Sequence, residues 1–179
     1  MRNLVDRAMK GDRDAFTALA LEISADLFAV SRRILRDVDL AEDAVQQCLL
    51  QIWRQLPALR DPDRFQAWSY RLLVNSCYRQ ARHERRWAPN LRVLSEERAD
   101  GDHAGELADR DELERAFRHL SPEHRAVVVL HHYRGIPQSE VASVLGIPVG
   151  TVYSRLHYAY REMRATLEAD SRPGRSATA

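Results

Sequence analysis

Little in this chain breaks a helix. Seven glycines and seven prolines stand among 179 residues, so the composition tolerates long uninterrupted helices. No apolar run approaches the roughly 20 residues that a membrane-crossing helix needs. The opening Met1-Arg2-Asn3-Leu4-Val5-Asp6 has no apolar core of the kind an export signal carries. A cytoplasmic protein without membrane insertion of its own is expected. Only two cysteines occur, Cys48 and Cys77, and no Cys-x-x-Cys pair supports a zinc knuckle; two buried free thiols are expected instead. His124, His131 and His132 cluster in sequence, but His-Glu-x-x-His is missing, and adjacent histidines point apart on a helix. They read as ordinary histidines rather than metal ligands. A glycine-rich phosphate loop and a nucleophile elbow are also missing. No catalytic residue, metal or cofactor is expected, and the chain does not read as an enzyme.

What is present is helical pattern and uneven charge. Hydrophobic residues make up 45% and charged residues 30%, as in a folded globular chain. Residues 1–88 hold 15 basic and 12 acidic side chains, a net of +3; residues 89–114 hold 3 and 9, a net of −6; residues 115–179 hold 9 and 5, a net of +4. Two mildly basic segments therefore flank an acidic one, and only the basic ones suit nucleic acid. Phe16, Leu19, Ala20, Ile23, Leu27, Val30 and Ile34 form one helical stripe that Asp12 can cap. Ala41, Val45, Cys48, Leu49, Ile52, Trp53 and Leu56 form a second, which Pro57 ends. A third, with Phe65, Trp68, Leu72 and Cys77, runs to about Arg86 with Asp63 as its cap. Three helices with short joints make a bundle. Trp53 and Trp68 read as core before contact, with either able to serve as both, and Trp87 as an exposed contact.

From Pro89 to Ala108 the periodicity fades into Ser, Asp, Glu, Gly and Ala, the composition of a flexible linker. Ser121-Pro122-Glu123 is a helix start, and the β-branched Val127-Val128-Val129 after it reads as helix in that setting. Gly135 ends it. A short helix Gln138–Leu145 and a last helix from Val149 to about Leu167 follow, and the tail 169–179 reads as disordered. Ala142 stands where two helices meet, Gly146 where a turn wants positive φ, and Val141, Leu145, Ile147, Val152 and Leu156 would fill the seam. That is a helix-turn-helix, whose second helix enters a DNA major groove; a plain helical hairpin is the alternative. With Val152 and Leu156 inward, Tyr153, Ser154, His157, Tyr158 and Arg161 face outward as base readers, and Thr151 and Arg155 reach phosphates. The fold class expected is all-α, with two small helical domains joined by a flexible acidic linker and a helix-turn-helix in the second.

At several places the residues resemble one family. Gly146-Ile147-Pro148-Val149-Gly150-Thr151-Val152-Tyr153-Ser154-Arg155-Leu156 and Leu120-Ser121-Pro122-Glu123-His124-Arg125 resemble the helix-turn-helix of the extracytoplasmic-function sigma factors of bacterial RNA polymerase. Gly11-Asp12-Arg13-Asp14-Ala15-Phe16, Asp39-Leu40-Ala41-Glu42-Asp43-Ala44-Val45-Gln46 and Phe65-Gln66-Ala67-Trp68-Ser69-Tyr70-Arg71 with Asn75 resemble that family's first domain.

The resemblance implies a division of labour. Residues 1–88 would bind core RNA polymerase through Asp43, Gln46, Gln47, Leu50 and Trp53. They would also melt the minus-10 element through Arg60, Asp61, Arg64, Arg71, Asn75, Arg79 and Arg82. A flipped base would lodge by the turn at Arg60–Arg64, and the basic stripe would follow the phosphates. Residues 109–168 would read the minus-35 element, and residues 89–108 would link the two. Promoter DNA, core polymerase and an anti-sigma factor are the partners implied, with a stress or envelope response as the setting. The chain departs from the family pattern at Gln47, where an acid is usual, and at Tyr153 and Tyr158, where cations are usual. An unusual minus-35 preference is expected from the last two. A dimeric DNA-binding regulator and a pure interaction module are the other classes the residues allow.

Overall fold

The computed structural model describes residues 1–87 and 113–170, with side chains described to Arg86 and Glu168. Among them every regular element is helical: α1 (Arg2–Met9), α2 (Arg13–Leu35), α3 (Val38–Gln55), α4 (Phe65–Trp87), α5 (residues 113–118), α6 (Pro122–Val128), α7 (Gln138–Leu145) and α8 (Val149–Asp170). The expected linker at 89–108, nearly all of the expected tail and the Trp87 side chain lie outside the described residues. The all-helical class and the two helical domains expected from the sequence are what the structure has.

Local chemistry sets the helix ends. Asp12 accepts the Ala15 amide at 2.9 Å, and Asp37 accepts the Leu40 amide at 2.8 Å, each satisfying an otherwise orphaned donor. Ser121 caps α6 through the His124 amide, with Pro122 in its first turn. The third cap differs from expectation. Asp61, not Asp63, takes the amide, that of Asp63, at 3.0 Å, because Pro62 starts a short 3-10 turn three residues before the long helix begins at Phe65. Asp63 instead pairs with Arg2 at 2.8 Å.

Arg2 belongs to the second difference. The first domain has four helices, not three: α1 buries Val5 and Ala8 against α2. Around α1, the core is Leu19, Ile23, Leu27, Val30 and Ile34 of α2, Ala44, Cys48 and Ile52 of α3, and Phe65, Tyr70, Leu73 and Cys77 of α4. Both thiols are buried and free, and burial pushes Cys48 up to about 12. Trp53, expected in the core, is 39% exposed. In the second domain, α6 passes at Val128 into one π turn, Val129–Tyr133, where the Arg134 amide reaches the Val129 carbonyl at 3.0 Å. That wider turn brings the rings of His131 and His132 edge to face, 4.6 Å apart, so they do not point apart as a regular helix would place them.

The two domains touch, with α4 packed on α6 and α7, and α2 on α6. Ala126, Val127, Leu130 and Val141 join the same apolar cluster as Leu73 and Val74.

Candidate functional site

The helix-turn-helix is built from α7, Gly146 and α8. Gly146 stands at φ +65°, the left-handed conformation that ends α7, and the Ile147 amide reaches back to the Ala142 carbonyl at 3.1 Å. Pro148 starts the next helix, its carbonyl taking the Thr151 amide at 2.9 Å. Val152, Leu156 and Ala159 are buried and hold α8 to α6 and α7. The rest of the first turns of α8 faces away from that seam.

On this outer face Tyr153, Ser154, His157, Tyr158 and Arg161 are exposed, as expected, while Thr151 and Arg155 are half-buried at its edges. Ser154 donates to the Thr151 carbonyl at 3.0 Å. Tyr158 stacks on the His124 ring of α6 at 4.4 Å and 23°, and the Arg161 guanidinium stands 5.1 Å from the Tyr158 ring centre. His124 is in turn held by Ser121, Oγ to Nδ1 at 2.9 Å. Burial, with Arg155 nearby, keeps His124 below the usual histidine range. The His124 ring and the Arg161 guanidinium together fix the orientation of the tyrosine face. Tyr160 is also exposed and bonds to His132 through its hydroxyl. The sequence reading missed Tyr160, although it sits three residues past His157 and seven past Tyr153, on the same face of a helix.

Along α4, Arg71, Asn75, Arg79 and Arg82 are exposed and recur at helical spacing. Arg79 donates to the Ser76 hydroxyl at 2.9 Å, and Arg82 to the Tyr78 carbonyl at 3.1 Å. Arg60, Asp61 and Arg64 are exposed in the turn that leads into α4, and Asp61 pairs with Arg64 at 3.4 Å. Asp61 thus shapes the turn as well as facing solvent.

Asp43, Gln46, Gln47, Leu50 and Trp53 share one exposed face of α3. Beside them α2 and α3 enclose a groove of about 420 Å³ lined by Phe16, Ala20, Gln46, Leu49, Leu50 and Trp53, with Arg13 and Thr17 at its edge. Phe16 and Trp53 meet at 4.7 Å. The α2 wall was not assigned from sequence. Its signal was Phe16 and Ala20, which fall in the core stripe yet sit at the edge nearest α3. Asp43 and Gln47 lie outside the groove lining.

Residues 20–87 match the family model for sigma-70 region 2, and residues 110–163 match that for sigma-70 region 4. The chain is 34% identical to the ECF RNA polymerase sigma factor SigL of Mycobacterium tuberculosis over 168 residues, 92% of this chain and 95% of the relative. It belongs to the ECF RNA polymerase sigma factors. The ECF sigma-E factor of Escherichia coli is 27% identical over 166 residues, 86% of each chain. Among solved structures, that of CnrH in complex with the cytosolic domain of CnrY is 29% identical with a TM-score of 0.67, over 95% of this chain and 98% of the other. That of the sigma factor RpoE with the anti-sigma factor NepR from Bartonella quintana is 25% identical with a TM-score of 0.68, over 87% and 98%. Sigma factors of this kind are transcription initiation factors that work with RNA polymerase. The matched regions place α2, α3 and α4 in region 2 and the helix-turn-helix in region 4. Among the described residues no helix is long and apolar enough to cross a membrane.

One electrostatic detail joins the two regions. The Tyr78 hydroxyl of α4 is buried, and Arg155 and Glu123 lie near enough to act on its ionisation. Burial alone pushes the Glu123 carboxyl up. The helix amide, the Ser121 hydroxyl and the charges of Arg85 and Arg155 outweigh it and hold Glu123 below the usual carboxylate range. Arg155, a sequence candidate for phosphate contact, is therefore engaged within the protein.

Proposed function

We propose that this sigma factor carries out promoter-specific initiation through three separate faces, and that it does so by binding alone, with no catalytic residue of its own. The α2–α3 groove, with Leu50 and Trp53 at its rim, Gln46 in its lining and Asp43 and Gln47 beside it, takes an apolar helical element of core RNA polymerase. The exposed α4 stripe of Arg71, Asn75, Arg79 and Arg82, with the turn Arg60–Arg64, holds the melted minus-10 strand. Unstacked bases lie on arginine planes while the cations follow phosphates. The outer face of α8 reads the minus-35 duplex. Residues 1–88 and 109–168 act as the two working domains, 89–108 as the acidic link and 169–179 as a tail.

The observation that carries this reading is the pairing of an open apolar groove on one domain with a solvent-facing recognition helix on the other. A regulator working alone needs only the second. Tyr153 and Tyr158 replace cationic donors on the reading face, so the minus-35 preference is shifted toward contacts an aromatic face can make, such as the thymine methyl. The setting is cytoplasmic, in a stress or envelope response, and an anti-sigma factor controls the chain. The solved neighbour RpoE was captured with such a partner.

Reconstituted transcription tests this. Core polymerase from the source bacterium, the full chain and a genomic promoter library should yield start sites that require the chain. Asn75→Ala should weaken opening at those sites, and Tyr158→Ala should change the minus-35 bases selected. No initiation, together with tight binding of duplex DNA by the chain alone, would instead mark a dimeric regulator.

A further inference from the structure

Helix α1 precedes residues 20–87, which match sigma-70 region 2, yet it lies against the turn that the minus-10 reading uses. The connection from α3 to α4 bends through two short 3-10 turns, Leu56–Ala58 and Pro62–Arg64. Helix α1 packs on both of them as well as on α2. Val5 and Ala8 are buried in that contact, and so is Leu56 of the first turn.

Both ends of α1 are tied by arginine. Near its last turn, Arg7 donates through Nε and Nη2 to the Asp12 carboxylate at 2.9 and 2.7 Å, and Asp12 in turn caps α2. At its first residue, one terminal nitrogen of Arg2 stands 2.8 Å from one oxygen of Asp63 and 2.9 Å from the other. The Arg2 and Asp63 side chains are 68% and 61% exposed, and a pair so placed adds little to stability. Val5 and Ala8 hold α1 in place without it.

What the pair does change is the turn. Residues 60–64 carry two arginines and two aspartates, a net charge of zero. Asp61 uses its oxygens inside the turn, on the Asp63 amide at 3.0 Å and on Arg64 at 3.4 Å. Asp63 is held from outside it, by Arg2, and with Arg2 counted the group carries +1. A strand of phosphates then meets cations where it would otherwise meet a bare carboxylate. The arginine also fixes one wall of the turn in advance. A receptor ordered beforehand does not lose affinity to its own ordering when the ligand arrives.

Resting on the minus-10 reading above, we propose that Arg2 is a positioning residue for promoter opening. It holds Asp63 away from the melted strand and fixes the turn that receives the flipped base. The helix that carries it is thus part of the opening machinery, although it touches no base itself.

The test uses the full chain, core polymerase and a linear promoter with 2-aminopurine in its minus-10 element. The rate of the fluorescence rise reports unstacking. Arg2→Gln should slow opening about threefold, and Arg2→Glu, which sets a second acid beside Asp63, about tenfold. Arg2→Lys keeps the charge and should stay within about twofold of the parent. Core polymerase affinity and thermal unfolding should be unchanged in all three. In a selection with holoenzyme, Arg2→Gln should broaden the minus-10 bases chosen and leave the minus-35 bases as they were, which a general loss of packing would not do. The deciding measurement is a double-mutant cycle. If Arg2 works through Asp63, then Arg2→Gln should add almost nothing to a chain that already carries Asp63→Asn. An equal loss in both backgrounds overturns the proposal, because Arg2 would then act on its own. Arg60→Ala and Arg64→Ala test the turn itself. If they slow opening while Arg2→Gln does not, only the role of Arg2 falls. If they leave opening as it was, the minus-10 reading of the turn falls and takes Arg2 with it.

Discussion

Truncating Leu50 separates a groove that binds from a groove that merely exists. Leu50 is 44% exposed at the rim of the α2–α3 groove. Full burial of a leucine is worth about 1.5–3 kcal/mol, so the fold has drawn roughly half of that, about 1 kcal/mol. A partner helix that covers the remainder draws a similar amount. Leu50→Ala should therefore cost about 1 kcal/mol of folding stability, and weaken core polymerase binding by a further 1–2 kcal/mol, roughly fivefold to thirtyfold in Kd. The assay is titration of fluorescently labelled chain with core polymerase, alongside thermal unfolding of each variant. Leu21→Ala is the matched control: the same residue type on α2, 75% exposed and outside the groove. It should leave Kd within about twofold of the parent. Equal polymerase affinity for the parent and Leu50→Ala, both folded, would refute the assignment of the groove, because no partner would then be covering that side chain.

Three further outcomes follow from the described geometry. Tyr158→Ala and His124→Ala should alter the same minus-35 base positions in a selection with holoenzyme, and His124→Phe should restore the parental preference, since an aromatic stack worth about 0.5–1.5 kcal/mol is what orients the tyrosine. Gly146→Ala should lower stability by about 1–2 kcal/mol in denaturant unfolding, because φ +65° strains any residue with a Cβ; a variant as stable as the parent would show the turn relaxing. Stability should peak between mildly acid and mildly alkaline pH when measured by thermal melts. On the acid side, His124, Glu123 and Asp12 all have lowered values in the fold, so the unfolded chain takes up protons first and stability is lost as pH falls, beginning with His124 below its ordinary 6.5. On the alkaline side the Cys48 thiol and the Tyr70 phenol are held up at about 12, so the unfolded chain ionises first and stability is lost as pH rises past the ordinary 9.0 of the thiol. A stability that keeps rising from pH 7 to pH 10 would contradict this.

Much of the fold was readable because helices announce themselves by period. The stripe from Phe16 to Ile34 marks α2, the one from Ala41 to Leu56 marks α3, and the Ala142–Gly146 turn marks the helix-turn-helix. Helix α1 was not readable. Eight residues are too few to form a stable helix alone, and only contact of Val5 and Ala8 with α2 decides its state. The Asp61 cap was missed because two acids flank Pro62, and the choice depends on the 3-10 turn that proline begins. The π turn at Val129–Tyr133 has no local signature, so the meeting of His131 and His132 could not be foreseen. The site followed the same rule. Exposed faces of single helices, such as Asp43 to Leu50 and Tyr153 to Arg161, were legible. The groove wall on α2 and the Arg2–Asp63 pair were not, because each joins residues that are distant in sequence and share no pattern.

The way α8 is held has a consequence for how such a protein can change. Val152, Leu156 and Ala159 do the packing, while the side chains at Tyr153, Ser154, His157 and Arg161 support no buried core. Substitutions at these four positions are nearly free of folding cost. A lineage, or an engineer, could rewrite the sequence this helix prefers one position at a time and pass through no unfolded intermediate. The groove on the other domain, proposed above as the polymerase-binding face, would stay as it is. Duplicated copies of such a chain could then diverge into many addresses served by one machine.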